Sequence, residues 1–209
     1  MAEPQGCCSC CTGFIISLGL SALFLWLSLK PSKPTLSIEE FYVPALNKTA
    51  ANDTKSDIIT FTLKLNNKAN KDKGVYYDAL NVTLYHTQNL SNPVANVTII
   101  PFYQGFKKHT SRKINVTASK AMPWSTALNE VSNGTVFRVD LKTKLRYKII
   151  LFKTKRHSIM VGGNITVTDQ GSMVKPKKKG VKLSCGSVQV GRFAQVGGLV
   201  GFVLIFLWF

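Results

Sequence analysis

From Phe137 to Ile149 the chain alternates with a period of two. Val139, Leu141, Leu145, Tyr147 and Ile149 fall on one parity, and Arg138, Asp140, Lys142, Lys144, Arg146 and Lys148 on the other. Successive side chains point to opposite faces in an extended strand. The stretch therefore predicts a β-strand with one apolar and one charged face. Shorter stretches repeat the pattern: Leu80, Val82 and Leu84; Ile114 and Val116; Ile159, Val161, Ile165 and Val167. Turn-forming clusters separate them, at Asn70 to Gly74, Ser91-Asn92-Pro93, Asn133-Gly134 and Asp169-Gln170-Gly171. Between them no apolar stretch has helical period and length. About seven strands over residues 34–185 predict an all-β antiparallel sandwich. Gly162-Gly163, inside one of these strands, predicts a bulge or a close approach of backbones.

The ends of the chain differ from this middle. Residues 12–29, TGFIISLGLSALFLWLSL, carry no charge. As a helix they span ~27 Å, close to the ~30 Å hydrocarbon core of a bilayer. The preceding residues contain no Lys or Arg, and no small-residue cleavage site follows, so the segment reads as an uncleaved signal anchor rather than a signal peptide. Residues 196–209, VGGLVGFVLIFLWF, are also uncharged. Upstream of them stand the small residues Ser184, Cys185, Gly186 and Ser187 and a short spacer. Small site, spacer and apolar tail compose a GPI-attachment signal over residues 186–209, with those four residues as candidate attachment points. A second membrane helix is the rival reading.

Two signals bear on which side of a membrane the middle faces. Lys30 and Lys33 directly follow the first apolar block, and by the positive-inside rule would hold the middle in the cytosol. Eight Asn-x-Ser/Thr sequons oppose this, at Asn47, Asn52, Asn81, Asn89, Asn96, Asn115, Asn133 and Asn164. Chance would give roughly two for this composition. At Asn81, Asn96, Asn115 and Asn164 the middle residue is apolar, so a strand would turn the Asn outward and its neighbour inward. The sequons and the GPI-like tail place the middle on the exterior and residues 1–11 in the cytosol. Cys7, Cys8, Cys10 and Cys11 then read as S-acylation sites in a reducing compartment, a metal site being the alternative. The remaining cysteine, Cys185, has no partner in the middle, which excludes a disulfide framework there.

All 27 Lys and Arg lie between Lys30 and Arg192, together with nine of the ten acids, a formal +18 (27 − 9). Such a domain attracts anionic partners. The candidate binding face is Arg138, Lys142, Lys144, Arg146 and Lys148, continuing to Lys153, Lys155 and Arg156; Lys107, Lys108, Arg112, Lys113 and the run Lys175 to Lys179 add to it. Acidic cell-wall polysaccharide and the membrane surface fit an exterior location; nucleic acid does not. Tyr76, Tyr77, Phe102 and Tyr103 form either an aromatic contact site or a half-buried rim of the core. His86, His109 and His157 are scattered, and neither a nucleophile elbow, a P-loop nor a zinc-protease motif occurs. The sequence carries no catalytic constellation and implies no cofactor or metal.

Five stretches, FLWLSLKPSKP (24–34), NKDKGVYYD (70–78), FYQGFKK (102–108), VFRVDLKTKLRYKIILFKTKR (136–156) and KKKGVKL (177–183), together with the Cys-Cys-x-Cys-Cys head, resemble the plant family of non-race-specific disease resistance and harpin-induced-like proteins. The resemblance implies a late-embryogenesis-abundant type 2 domain with an Ig- or fibronectin-like fold at the plant plasma membrane. It further implies defence signalling, membrane–wall adhesion, and contact of the cytosolic tail with membrane-bound immune regulators. A stress-protective role, or a lipid or glycan carrier with a cavity between its sheets, is the alternative. The family's Asn-Pro-Asn turn is reduced here to Lys68-Ala69-Asn70, and no Asn-Gly-Asp tripeptide occurs.

Overall fold

A computed structural model describes residues 6–49, 56–86, 89–120, 122–174 and 180–185. Helix α1 covers Gly6–Leu29. The strands are β1 Thr35–Asn47, β2 Ile58–Asn66, β3 Lys73–Tyr77, β4 Leu80–His86, β5 Asn89–Ile99, β6 Phe102–Gln104, β7 His109–Thr117, β8 Thr135–Ile149, β9 Phe152–Lys153, β10 His157–Val167, β11 Gln170–Ser172 and β12 Val181–Leu183. A second helix, α2, covers Trp124–Glu130 and runs into a 3-10 turn, Val131–Asn133.

The strands form two antiparallel sheets. One has the order β11-β1-β2-β7, with β12 also on β1. The other is built on β8, whose 15 residues extend ~46 Å. β4 and β3 share one side of β8, and β10 and β9 the other; β5 and β6 extend the sheet outward. The alternation read in the sequence is realised here. Val139 and Leu141 are fully buried, Leu145 and Tyr147 nearly so, while Lys142 and Lys144 are exposed. The two sheets enclose one core. Phe41 of β1 lies 5.6 Å from Phe137 of β8 and 6.2 Å from Phe61 of β2, ring centre to ring centre.

The last strands close one edge between the sheets. Val181–Leu183 pairs with the first residues of β1, and Ser184 then exchanges both backbone hydrogen bonds with Gly162 of β10, at 2.8 and 3.0 Å. β10 keeps an unbroken register with β8 through Gly162-Gly163, so the pair is a close approach and not a bulge. A Cβ on Gly163 would stand 3.0 Å from the Leu183 side chain, and one on Gly162 would collide with the Asp140 carboxylate.

Three expectations are corrected. Ser91-Asn92-Pro93 is not a turn; it lies within β5, where the register with β4 shifts. A strand tolerates Pro at such an irregularity, because no ladder hydrogen bond is demanded of it there. A helix does interrupt the strands: α2 is too short for its period to register, and it packs by the single fully buried Ala127. The strands are also more numerous than about seven, because bends divide long runs such as 73–86 into two.

α1 begins at Gly6, so Cys7, Cys8, Cys10 and Cys11 stand on its first turns. Among the described residues no helix is long and apolar enough to cross a membrane; within α1 the described side chains are those of residues 12–27. The helix as a whole has 24 residues, none charged.

Candidate functional site

The outer face of the β8 sheet carries the predicted basic residues. Pairing sets their neighbours. Arg138 lies between Tyr85 and Asn164, Asp140 between Thr83 and Gly162, and Lys142 between Asn81 and Met160. Because Gly162 has no side chain, Asp140 and Arg138 lie over it, and Arg138 Nε donates to Asp140 Oδ1 at 2.9 Å. Arg156 Nε likewise donates to Asp78 Oδ2 at 3.0 Å. Between β4, β8 and β10 a cleft of about 710 Å³ opens on this face, with Lys142 and Lys144 on its wall and the exposed thiol of Cys185 at its rim.

The structure sorts the predicted binding face. Arg138 is neutralised in place by Asp140, while Arg146 and Lys148 are half-buried. Exposed positive charge falls on Lys142 and Lys144. Arg112 is not outward-facing; it turns to the edge of the core and covers the Phe102 ring at 4.3 Å. Lys175 to Lys179 lie outside the described residues. The aromatic four divide by strand parity. Tyr77 is buried, stacks on Phe102 at 4.9 Å and donates its hydroxyl to Gln104 Oε1. Tyr76 and Tyr103 meet on the outer face at 4.5 Å, with Lys153 Nζ 4.9 Å from the Tyr76 ring.

Asn81, Asn96, Asn115 and Asn164 are exposed, with Val82 and Ile165 fully buried, Val116 buried and Val97 packed against the core. Two sequons lie opposite each other: Asn81 pairs with Thr98 and Thr83 with Asn96. Thr98 Oγ1 donates to Asn81 Oδ1 at 3.0 Å, leaving the amide nitrogen directed elsewhere. Asn47 is half-buried at the end of β1, Asn89 opens β5, and Asn133 ends the 3-10 turn. Asn52, Gly186 and Ser187 lie outside the described residues.

Sequence reasoning missed a buried amide cluster where the chain enters the β domain from α1. Asn67, fully buried, donates to the Lys73 and Gly105 carbonyls at 2.9 and 3.1 Å. Asn70 donates to Asn67 Oδ1 at 2.7 Å and to the Ser32 carbonyl at 2.8 Å, and accepts from the Ser32 N–H at 2.9 Å. Tyr147 Oη donates to the same Ser32 carbonyl at 3.2 Å. Burial pushes the Tyr147 hydroxyl up to about 12 and raises that of Tyr77 further. The hydrogen bond from Lys73 holds the Asp72 carboxyl below its ordinary range. The turn thus persists without its proline. Its only trace in the sequence is the Asn-rich string 66–70, which reads equally as an exposed loop.

The Arabidopsis thaliana protein named NDR1 is 42% identical over 187 residues, covering 86% of this chain and 82% of its own. The chain belongs to the NDR1/HIN1-like family. NDR1/HIN1-like proteins 3 and 10 of the same plant are 26% and 24% identical, covering 68% and 69% of this chain and 62% and 67% of their own. No family model matches. A solved structure from Archaeoglobus fulgidus covers 66% of this chain and 98% of its own at TM-score 0.35 and 9% identity, too distant to bear on the fold. Membership makes this a plant disease-resistance family protein. The stretches that carry the NDR1/HIN1-like resemblance converge in space: 70–78 supplies the amide turn and β3, 102–108 supplies β6 and the Gly105 carbonyl, and 136–156 supplies β8 with Tyr147.

Proposed function

We infer that this NDR1/HIN1-like chain is a non-enzymatic, plasma-membrane-anchored protein of plant innate immunity. Its β domain, of the late-embryogenesis-abundant type 2, Ig- or fibronectin-like kind, stands outside the cell and serves defence signalling and membrane–wall adhesion. The observation that carries the reading is α1. Its 24 uncharged residues would rise ~36 Å as a helix, enough for the ~30 Å hydrocarbon core. Phe14, Ile15, Leu18, Phe24 and Trp26 are each 60% exposed or more, an apolar surface that water does not tolerate unpartnered. The exposed sequon asparagines favour an exterior, glycosylated domain. Cys185, exposed just after β12, lies where an attached lipid would add a second tether to that of α1.

On the outer face, Lys142 and Lys144 beside the cleft suit a carboxylate-bearing wall polysaccharide. Exposed pairs of this kind contribute up to about 1 kcal/mol each and weaken with salt. The cleft lies on the sheet face, whereas Phe41, Phe61 and Phe137 fill the space between the sheets, which disfavours an inter-sheet carrier.

Topology is the test. Digestion of membranes with an N-glycosidase is expected to increase the protein's mobility; an unchanged band would overturn the exterior assignment. Phospholipase cleavage is expected to expose the cleaved-anchor epitope while α1 keeps the protein on the membrane. Removal of residues 1–11, with insertion preserved, is expected to abolish immune output; unchanged output would exclude tail-mediated signalling.

A further inference from the structure

The end of the β domain next to α1 has an unusual surface. The β8–β9 connection presents Ile150, Leu151 and Phe152 at 73%, 84% and 78% exposure, three consecutive large apolar residues at a hairpin tip. Ile150 holds φ at +52°, a conformation that a β-branched residue rarely adopts. No core contact explains it, since the side chain points into solvent. At the same end, across β3 from β8, the loop after β6 presents Phe106 at 56% exposure.

The buried amides tie these loops into one surface. Asn67 bonds both the Gly105 carbonyl, next to Phe106, and the Lys73 carbonyl, and Lys73 pairs with Ile149. Asn70 and Tyr147 bond Ser32. From Leu29, where α1 ends, to Ser32 the chain can span at most ~11 Å. Exposed Lys68, Lys71, Lys107, Lys108 and Lys153 surround these tips, while Asp72 is paired with Lys73 at 2.9 Å and Glu39 with Lys64. Every sequon asparagine that the structure describes lies away from this end. Asn81 pairs with Lys142, roughly 23 Å up β8 from Ile149, and Asn115 lies roughly 20 Å along β7 from His109.

We propose that this end is a second membrane contact: Ile150, Leu151, Phe152 and Phe106 enter the headgroup–acyl boundary of the bilayer that holds α1, and the surrounding lysines lie among its lipid phosphates. The inference rests on the reading of α1 as a membrane anchor. Apolar tips within a basic ring bind an interface by adding buried apolar area to attraction for anionic headgroups. Glycans, which are bulky and polar, could not occupy such an end, and none of the described sequons lies there. The strained tip is then explained, because it exposes to lipid what the core does not use.

Tryptophan depth measurement in the full-length chain separates the two readings. Vesicles of phosphatidylcholine and phosphatidylglycerol with brominated acyl chains serve as the quencher. In a background of Trp26→Phe, Trp124→Phe and Trp208→Phe, a single tryptophan is introduced as Leu151→Trp. Companion proteins retain Trp26 alone or Trp124 alone. Circular dichroism verifies the strands, and Phe152→Trp replaces Leu151→Trp if that variant misfolds. The tip tryptophan is expected to lose emission to a degree comparable with Trp26, with a blue shift, while Trp124 at the far end of β8 is unaffected. Quenching of Trp26 with an unquenched tip would overturn the membrane contact and leave the anchor standing. Absence of quenching at Trp26 would overturn the anchor, and the contact with it.

Discussion

The two ends of the β domain are closed by different chemistry, although β8 runs through both. At the α2 end the closure is apolar. Ala127, Val131 and Phe137 are at most 1% exposed, and polar links are few: Thr135 Oγ1 donates to the Ala127 carbonyl, and buried His86 Nε2 lies 3.4 Å from Glu130 Oε2. At the α1 end the closure is polar: Asn67, Asn70, Tyr147 and Ser32 exchange hydrogen bonds beneath loops whose large apolar side chains face outward. Apolar packing is tolerant of small displacements, whereas a buried amide must meet its partners in one geometry. The difference teaches where this domain needs shape and where it needs only to be filled. The end whose loops must be held in a fixed relation to α1 is the end built from amides.

Substitutions that strike one end or the other break this comparison. Phe137→Ala at the apolar end is expected to cost about 3–5 kcal/mol, read by denaturant unfolding of the detergent-solubilised chain. Asn67→Ala is expected to cost about 2–3 kcal/mol, because the Lys73 and Gly105 carbonyls lose their donor in a buried site. Its hydrogen-exchange signature should differ too, with protection lost in 67–73 and 104–108 and retained around α2. Loss of protection spread evenly over both ends would dissolve the distinction.

Alkaline unfolding sharpens the same contrast. In the folded state Tyr147 keeps its proton to about 12, against an ordinary 10.0, so its contribution is whole below pH 10 and is lost as pH rises from 10 toward 12. Tyr147→Phe should flatten that loss and cost roughly 1 kcal/mol at neutral pH through the bond to Ser32. Ile150→Asn is expected to stabilise the domain by about 1 kcal/mol, since Asn accepts positive φ readily. Lys142→Ala with Lys144→Ala should leave stability within about 0.5 kcal/mol. Retention on a polygalacturonate column should nevertheless fall for this variant at low salt; undiminished retention would remove the sheet face as the wall-binding surface.

Much of the architecture was legible because burial obeys parity. The alternation from Phe137 to Ile149 predicted a strand and which face it buries. The same rule placed Asn81, Asn115 and Asn164 outside with Val82, Val116 and Ile165 inside. What parity cannot report is the neighbour on the next strand. Parity already put Arg138 and Asp140 on one face, but only pairing showed the side-chain-free Gly162 opposite, over which the two meet. Arg112 looked free until the edge of the core turned it onto Phe102. Ser91-Asn92-Pro93 has turn composition, yet pairing with β4 keeps it extended through a register shift.

By itself, the sequence determined the periodicities: the charge-free helix, the alternating strands, the sequons whose Asn and Thr share one strand face, and the family. These are local properties, set by 1.5 Å of rise per helical residue and by the two-residue repeat of a strand. Only the tertiary structure decided that Asn67, Asn70, Tyr147 and Ser32, separated by up to 115 positions, form one buried cluster. It also decided that the hairpin tip at Ile150 and the loop at Phe106 share the end from which α1 leaves. Such contacts depend on strand order, which no local pattern encodes.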